Sequence, residues 1–373
     1  MTSVRVLLSL VVSYDWPLYQ FDVKNAFLNS DLTEEVYMSL PLGIYGKEMQ
    51  GKVCRLKKSL YSLKQSPRVW FDKFRVALIQ FGYTQTQSDH TLFVKKKDTL
   101  VIFLIVYVDD IVVTSNDIEE VSALKKFLSS KFEIKDLGEL WYFLGIEVAR
   151  SKEGIFISQR KYVLDLLTET GKLGTKPAST PIDVNHKLST NDGELLADRG
   201  VFQRLLGKLL YLYMTRLDIS YAMSVISQFM HAPRETHMTT AKKVLCYLKG
   251  TPVKGILFAK HRHMKIEVYT NANWVGNVDG RRSTLGYCAM VAGDIVSWSS
   301  KKQTVVARSS SKAKYRAMAH GVSELIWLKS LLNEMGVSCG SPVLFTNHIG
   351  GYTSAQPVPN QHEPNLLQEN NEQ

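Results

Sequence analysis

Residues 100–114 read L-V-I-F-L-I-V-Y-V-D-D-I-V-V-T, two β-prone apolar runs hinged on a pair of aspartates. Runs of this length, rich in Val and Ile and separated by turn formers, pair as a hairpin. Alternation would send neighbouring side chains to opposite faces of a sheet, but at a turn Asp109 and Asp110 can point the same way. Such a tip can hold a divalent metal. Aspartate is also simply favoured in turns, and the hairpin alone does not separate the two readings.

Outward from the hairpin, Leu18 to Arg150 alternates short β-like runs with helical stretches, the pattern of an α+β domain built on a sheet. One helix is well marked: Ser66 as cap, Pro67 in the first turn, Trp70, Phe74, Ala77, Leu78 and Phe81 on one face, and Gly82 to end it. Residues 171–200 are rich in Gly, Pro, Ser, Thr and Asp and read as a linker. Helical segments are expected over 201–214, 218–230 and 235–249, then strands over 266–270 and 286–298, a helix over 313–332 and a short strand over 343–345. From 350 the prolines, Asn and Gln carry little periodicity, so disorder is expected there.

The chain has 373 residues, 45% of them hydrophobic, enough for two or three cores. Its 46 Lys and Arg outnumber 35 Asp and Glu, and the +11 balance suits a polyanionic partner. Cys54, Cys246, Cys288 and Cys339 lie far apart, which gives neither a zinc motif nor a disulfide framework and fits a reducing compartment. The run Leu100–Val108 is too short to span a membrane, so no membrane partner is expected. Val6–Val12 mimics a signal-peptide core, but Ser13-Tyr14-Asp15-Trp16 offers no cleavage site, and a buried helix is the better reading.

A third carboxylate gives the hairpin its meaning. Asp22 lies in Q-F-D-V-K-N-A-F-L (20–28), followed by L-Y-S-L-K-Q-S-P-R-V-W-F (60–71), Y-V-D-D (107–110), Y-F-L-G-I-E-V (142–148), T-R-L-D-I-S and R-R-S-T-L-G-Y-C. In that order these segments resemble the reverse transcriptase and ribonuclease H region of copia-type LTR retrotransposon Pol polyproteins, with similarity running to about Asn347. The resemblance implies a right-hand polymerase palm with primer-grip region over 1–180, a linker and helical thumb or connection over 181–261, and a ribonuclease H-like α/β domain over 262–349. An unrelated tail, 350–373, follows. Because the chain starts just before the Asp22 motif, most of the fingers are expected to be missing.

By that resemblance Asp22, Asp109 and Asp110 are the catalytic metal ligands for Mg²⁺, with Mn²⁺ as a substitute. Hard oxygen donors suit such ions, and two of them can activate a primer hydroxyl and neutralise pyrophosphate. Phe27 falls on the steric gate, Gln65 belongs with it to the nucleotide site, and Phe143, Leu144 and Gly145 fall on the primer grip. The implied partners are an RNA template, a DNA primer or hybrid, deoxynucleotide triphosphates, and upstream polyprotein segments (protease, integrase) of an intact element. The implied location is a cytoplasmic virus-like particle or the nucleus.

The ribonuclease H half departs from the family. Where relatives carry Y-S-D-A-D-W, T-E-A-E-Y and C-D-N, this chain has Y-T-N-A-N-W, S-K-A-K-Y and Thr346-Asn347-His348. The expected acids are therefore Asn271, Lys314 and Asn347, a change of four charge units that removes the reason for metals to bind. A substitute ligand set from His261, His263 and His348 is the alternative to plain surface histidines. Glycine has become Ser30 and Ser62, proline Leu42 and Leu217, alanine Val275, aspartate Asn271, Asn273 and Asn347, and glutamate Lys312 and Lys314. Each is reachable by one C-to-T or G-to-A transition, as in a silenced, decaying copy. The acid losses account for seven of the +11 charges, so the basic balance says little about binding. Two functions follow: a reverse transcriptase with ribonuclease H lost and polymerase impaired, or a noncatalytic remnant with at most weak nucleic-acid affinity.

Overall fold

The computed structural model describes residues 1–32, 34–41, 43, 52–183, 186, 188–261, 263–274 and 279–348, with backbone only at 347–348 and 351–354. Leu42, Val275 and residues 355–373 lie outside these. The chain divides into two compact units. The first is Met1–Leu173, Thr251–Lys260 and Ser330–Val337, and the second is Gly174–Gly250, His261–Lys329 and Ser338–Gln373. The region expected as a separate helical connection thus clusters with the following α/β segment, except for 251–260.

In the first unit α1 (Thr2–Tyr14) buries Val4 through Val12, including Arg5 and Ser9, and stops at Asp15 in the left-handed region. Among the described residues no helix is long and apolar enough to cross a membrane. Next come β1 (Leu18–Val23), the small hairpin β2 (Tyr37–Ser39) and β3 (Val53–Arg55), and α2 (Ser66–Gln80). They are followed by β4 (Thr84–Gln85), β5 (Leu92–Lys97), β6 (Leu100–Tyr107), β7 (Asp110–Ser115), α3 (Ile118–Lys131) and β8 (Ile134–Glu139). The main sheet is antiparallel, in the order β4-β5-β6-β7-β1-β8. Phe21, Val23, Ile111, Val113 and Leu104 alternate onto one face, where Trp70, Phe74 and Leu78 of α2 and Leu124 and Leu128 of α3 bury them. Full burial of such side chains contributes about 1.5–3 kcal/mol each.

The α2 boundaries match the sequence reading, with one correction. Gln65 caps the helix, and the Ser66 hydroxyl instead donates to the Leu60 carbonyl at 2.6 Å. Gly82, at φ +90°, follows the last turn as a glycine should.

A second sheet, in the order β12-β11-β10-β9, joins β9 (Tyr142–Phe143), β10 (Ile146–Arg150) and β11 (Gly154–Ser158) to β12 (Gly255–Ala259) from much later in the chain. The β11–β12 pairing depends on glycine at both ends. A Cβ at Gly154 would stand 1.9 Å from the Phe258 carbonyl oxygen, and one at Gly255 would stand 2.0 Å from that of Ile157. α4 (Arg160–Glu169) follows β11 in the chain.

In the second unit the expected helices are α5 (Arg199–Leu212), α6 (Ser220–Ile226) and α7 (Glu235–Gly250). The middle one is shorter than its apolar pattern because 3-10 turns at Leu217–Ile219 and Ser227–Phe229 flank it. Arg216, 1% exposed, is held by Asp218 through two bonds of 2.9 and 2.8 Å, and Tyr247 donates to the same carboxylate at 2.6 Å. Only the guanidinium is buried, while Asp218 stays partly exposed, so removing the carboxylate is the costlier loss.

The sheet of this unit, β15-β14-β13-β16-β17, comprises β13 (Ile266–Asn273), β14 (Thr284–Val291), β15 (Asp294–Lys302), β16 (Val343–His348) and β17 (Gly351–Ser354). All neighbours are antiparallel except the parallel pair β13 and β16, and α8 (Ser310–Met335) connects β15 to β16. The continuous signal over 286–298 is two strands, turned at Ala292 (φ +51°) and Gly293 (φ +83°). Two positive φ values in sequence make the type I′ turn that suits strand twist. The stretch expected to be disordered from 350 begins with β17, whose partner is β16.

The 171–200 stretch, composed like a flexible linker, is fixed to the start of α7. Arg234 donates to the carbonyls of Thr190 and Gly193, and Thr236 to that of Asp192. His237 is fully buried: Nδ1 accepts from the Arg234 backbone N–H at 3.0 Å, Nε2 donates to the Ser189 carbonyl at 3.1 Å, and the ring stacks on Phe229. Only the neutral ring serves this geometry, and burial lowers its pKa. As pH falls the unfolded chain takes the proton first, so stability present above about pH 6.5 is lost as pH drops through the lower folded value. Thermal melts between pH 7.5 and 5 should therefore show a larger fall in midpoint for the native chain than for His237→Gln. Equal slopes would remove this anchor from the account.

Candidate active site

The strand register brings four positions into one row. Tyr107 of β6 faces Asp110 of β7, Asp110 faces Asp22 of β1, and Asp22 faces Lys135 of β8. Directly opposed residues share a face. Asp22 and Asp110 alternate with Phe21, Val23 and Ile111, so they project from the face that α2 and α3 leave open. Asp109 sits in the two-residue turn between β6 and β7, with Val108 before it at φ +58°. A positive φ at the first turn position alone is the type II′ pattern, and for a β-branched residue it is strained. The turn is braced: Trp70 Nε1 donates to the Val108 carbonyl at 2.6 Å, and the Val23 amide donates to that of Asp109 at 2.8 Å.

Packing acids this closely has an electrostatic signature. The Asp22 pKa is raised by burial and by Asp109, with Lys135 opposing. Asp110 is also raised, by burial first and then by Asp109 and Asp22, while Gln20 Nε2 donates to its Oδ1 at 2.9 Å and pulls the other way. Among the described residues no group of three His, Cys, Asp or Glu side chains stands at metal-holding spacing. The donor chemistry nevertheless fits a hard divalent cation: three carboxylates, mutually repelling, on an open face. Gln20 engages only Oδ1 of Asp110, which leaves Oδ2 for an ion.

Phe27 lies in the 3-10 turn Ala26–Asn29, 5% exposed, its ring 4.5 Å from that of Tyr61. Tyr61 is half exposed and its pKa is raised by burial and by Asp109 and Asp22, while the Ala26 amide offsets them. It therefore stands at the acids, which the sequence did not signal. Gln65 stands at the N-cap position of α2 without a side-chain cap bond, and its Nε2 donates to Glu34 at 3.3 Å. Ser62 is exposed in the preceding turn and is not among the residues with positive φ, so a side chain there does not strain the backbone.

Phe143, Leu144 and Gly145 form the β9–β10 hairpin, its turn made by Leu144 (φ +48°) and Gly145 (φ +70°). Phe143 is buried, while Trp141 and Tyr142 beside it are exposed.

In the second unit Asn271 and Asn347 lie one step past the Thr270–Thr346 pair on adjoining parallel strands. A Cβ at Gly321 would stand 2.4 Å from Thr270 Cγ2 and 3.0 Å from Leu344 Cδ1, so α8 crosses both strands there. Lys314 lies two turns earlier on α8, half-buried. His261 is 3.5 Å from Asp294 and its ring is 6.1 Å from that of His263; the His348 side chain is outside the described residues.

Residues 1–184 match the family described as reverse transcriptase (RNA-dependent DNA polymerase). Over 359 residues, 96% of this chain, it is 43% identical to the Retrovirus-related Pol polyprotein from transposon RE2 of Arabidopsis thaliana. It is 36% identical over 347 residues, 90% of the chain, to the Pol polyprotein from transposon TNT 1-94 of Nicotiana tabacum. It spans about a quarter of each, 25% and 26% of their lengths. It also covers all of a putative transposon Ty5-1 protein of Saccharomyces cerevisiae, at 31% identity over 307 residues, 82% of this chain. The chain belongs to the copia-type retrotransposon Pol family and carries its reverse transcriptase domain.

Crowded, raised carboxylates oppose folding in the absence of metal. Their folded pKa values lie above the unfolded ones, so the penalty is absent in acid and fully present at neutral pH. Asp110→Asn keeps the Gln20 acceptor and removes a charge. With chelator at pH 7 it should melt higher than the native chain, and millimolar Mg²⁺ should raise the native midpoint more than the variant's. A lower melting point for the variant would contradict the repulsion.

Proposed function

We propose that the chain is built for RNA-templated DNA synthesis, with Asp22, Asp109 and Asp110 holding two divalent cations. The observation carrying this reading is the row that puts Asp22 against Asp110 on the open face of the sheet, beside a strained hairpin tip that presents Asp109. Bound Mg²⁺, or Mn²⁺ in its place, would supply activation of the primer 3′-hydroxyl and neutralisation of the leaving pyrophosphate. The chain's own residues orient and exclude. Phe27, buried beneath Tyr61, closes the floor where a ribose 2′-hydroxyl would have to fit. The Leu144-Gly145 hairpin carries exposed Trp141 and Tyr142 toward solvent, where they can hold a primer strand. Template, primer and deoxynucleotide triphosphates are the partners of this reading, and segments of a longer polyprotein accompany it.

Ribonuclease H action is proposed to be lost. The five-stranded order with one parallel pair supports a ribonuclease H-like fold for the second unit, but amides and a lysine stand at the three acid positions. The second reading, a remnant drifting without selection, has its own support in Ser30. This residue, glycine in the family pattern, buries a hydroxyl with no hydrogen-bond partner. Leaving such a group unpaired costs about 1–3 kcal/mol. Ser30→Ala should therefore stabilise the protein by about 1 kcal/mol in urea unfolding, and destabilisation would count against drift at this position.

Primer extension on an RNA template with Mg²⁺ tests the polymerase. Any extension by the native chain should fall by about a thousandfold or more in Asp109→Asn, since metal electrostatics contribute several kcal/mol. Ser62→Gly should change the rate less than about twofold, as its φ requires no glycine. No extension with Mg²⁺ or Mn²⁺, even when upstream polyprotein segments are supplied, would favour the remnant. For the hydrolytic half, the native chain should leave the RNA strand of a hybrid intact. Acids restored together at 271, 314 and 347 should be needed for any cleavage, because such ligands act as a unit. Cutting by the native chain, abolished by chelator, would refute the loss.

A further inference from the structure

The segment R-R-S-T-L-G-Y-C has no part in the polymerase reading, yet its residues Thr284 to Cys288 line a cavity in the second unit. This cavity, of about 560 Å³, opens on the sheet β13-β14-β15. Its centre is a row across three strands, Asn271 opposite Gly286 and Gly286 opposite Ser300. Gly286 leaves the floor flat, since a Cβ built there meets nothing nearer than the Ser299 carbonyl oxygen at 3.4 Å. The walls are aromatic. Tyr269 lines one side, stacked on Phe345 with ring centroids 4.7 Å apart, and Tyr221 of α6 lines the other, its hydroxyl bonded to His186 at 3.0 Å.

The polar side chains in the rows facing this space are neutral: the amides of Asn271 and Asn273 and the hydroxyls of Ser300 and Thr284. Amides and hydroxyls both donate and accept, which suits the edge of a heterocycle. Charge lies at the margin instead. Thr284, at the end of the floor, pairs with Lys302, and the Lys302 ammonium is close enough to Arg282 for their repulsion, after burial, to lower its pKa. Asp279 opposes the pair. Two cations at the margin of a flat, uncharged, aromatic-walled cleft suit a ligand that joins a planar base to a phosphate.

We infer that this cleft binds a nucleotide, its base lying over Gly286 between Tyr221 and Tyr269 and its phosphate between Arg282 and Lys302. The ligand is either a free nucleoside monophosphate or the unpaired end of a single strand, and the site is independent of the three aspartates. With aspartates at 271 and 273 the floor would carry two negative charges beside that phosphate, so the asparagines favour binding here.

The test uses the full chain, with adenosine 5′-monophosphate, adenosine and inorganic phosphate as probes in saturation-transfer NMR. A ten-nucleotide single strand ending in 2-aminopurine is followed by fluorescence. Saturable monophosphate binding is expected, weakened about tenfold by Arg282→Ala, with adenosine unaffected by that change. Gly286→Leu should abolish binding of both while leaving the thermal midpoint and tryptophan emission near native; Asn271→Leu, at an exposed position, provides a second variant should Gly286→Leu misfold. A response from the single strand that the free monophosphate competes away identifies a strand end, and binding of the monophosphate alone identifies a free nucleotide. Phosphate binding as tightly as the monophosphate, no saturable binding, or binding untouched by both cleft variants would each overturn the inference.

Discussion

Three carboxylates that repel one another are held together by a sheet that gives them no alternative. Asp22 and Asp110 are opposed by register, and register follows from the apolar alternation of β1 and β7. A slip of β1 by one residue would bury Asp22 against α2 and α3 and expose Phe21 and Val23, and a slip of β7 would do the same to Asp110, Ile111 and Val113. The hydrophobic core therefore enforces the charge cluster. Asp109 is added by a turn whose own conformation is unfavourable, with Val108 at positive φ. The Trp70 indole, fixed by α2, and the Val23 amide, fixed by β1, bind the two turn carbonyls and so offset that cost. Strain, repulsion and apolar burial meet at one hairpin, which is why so much of the first unit is arranged around it.

Sequence patterns revealed what depends on neighbours in the chain. The hairpin of β6 and β7, the amphipathic face of α2 and the buried α1 follow from local periodicity and turn residues. Contacts made across long separations were hidden. Gln20 was visible in its motif, but nothing local says that it holds Asp110; Tyr61 reaches the acids only through the fold, and Lys135 is their neighbour only through the β1–β8 register. Ala292-Gly293 was read through because alanine rarely turns a chain at positive φ. The linker composition of 171–200 gave no hint of its carbonyls being collected by Arg234 and Thr236, since those side chains lie on α7. Ser66 shows a subtler failure: a good capping residue took a different bond because Leu60 lay within reach.

Substitutions that separate this chain from its family pattern fall unevenly on the physics. On the proposed reading, amides in place of acids in the second unit leave strand pairing untouched, because Asn271 sits in the β13–β14 ladder. A hydroxyl added at Ser30 is another matter, placed where neither water nor a partner reaches it. The motif T-R-L-D-I-S keeps its Arg216–Asp218 pair intact, and losing Asp218 would strip the buried Arg216 guanidinium of its carboxylate.

The glycine-bounded pairing of β11 with β12 also has a consequence for synthesis on the ribosome. β11 ends at Ser158, and its outer neighbour does not begin until Gly255, about a hundred residues later. At about 5–20 residues per second, that edge waits on the order of 5–20 s with its amides and carbonyls unpaired. A nascent chain halted by a premature stop anywhere in that interval would keep the edge permanently open, and products of interrupted reading frames should be lost to aggregation before any question of catalysis arises.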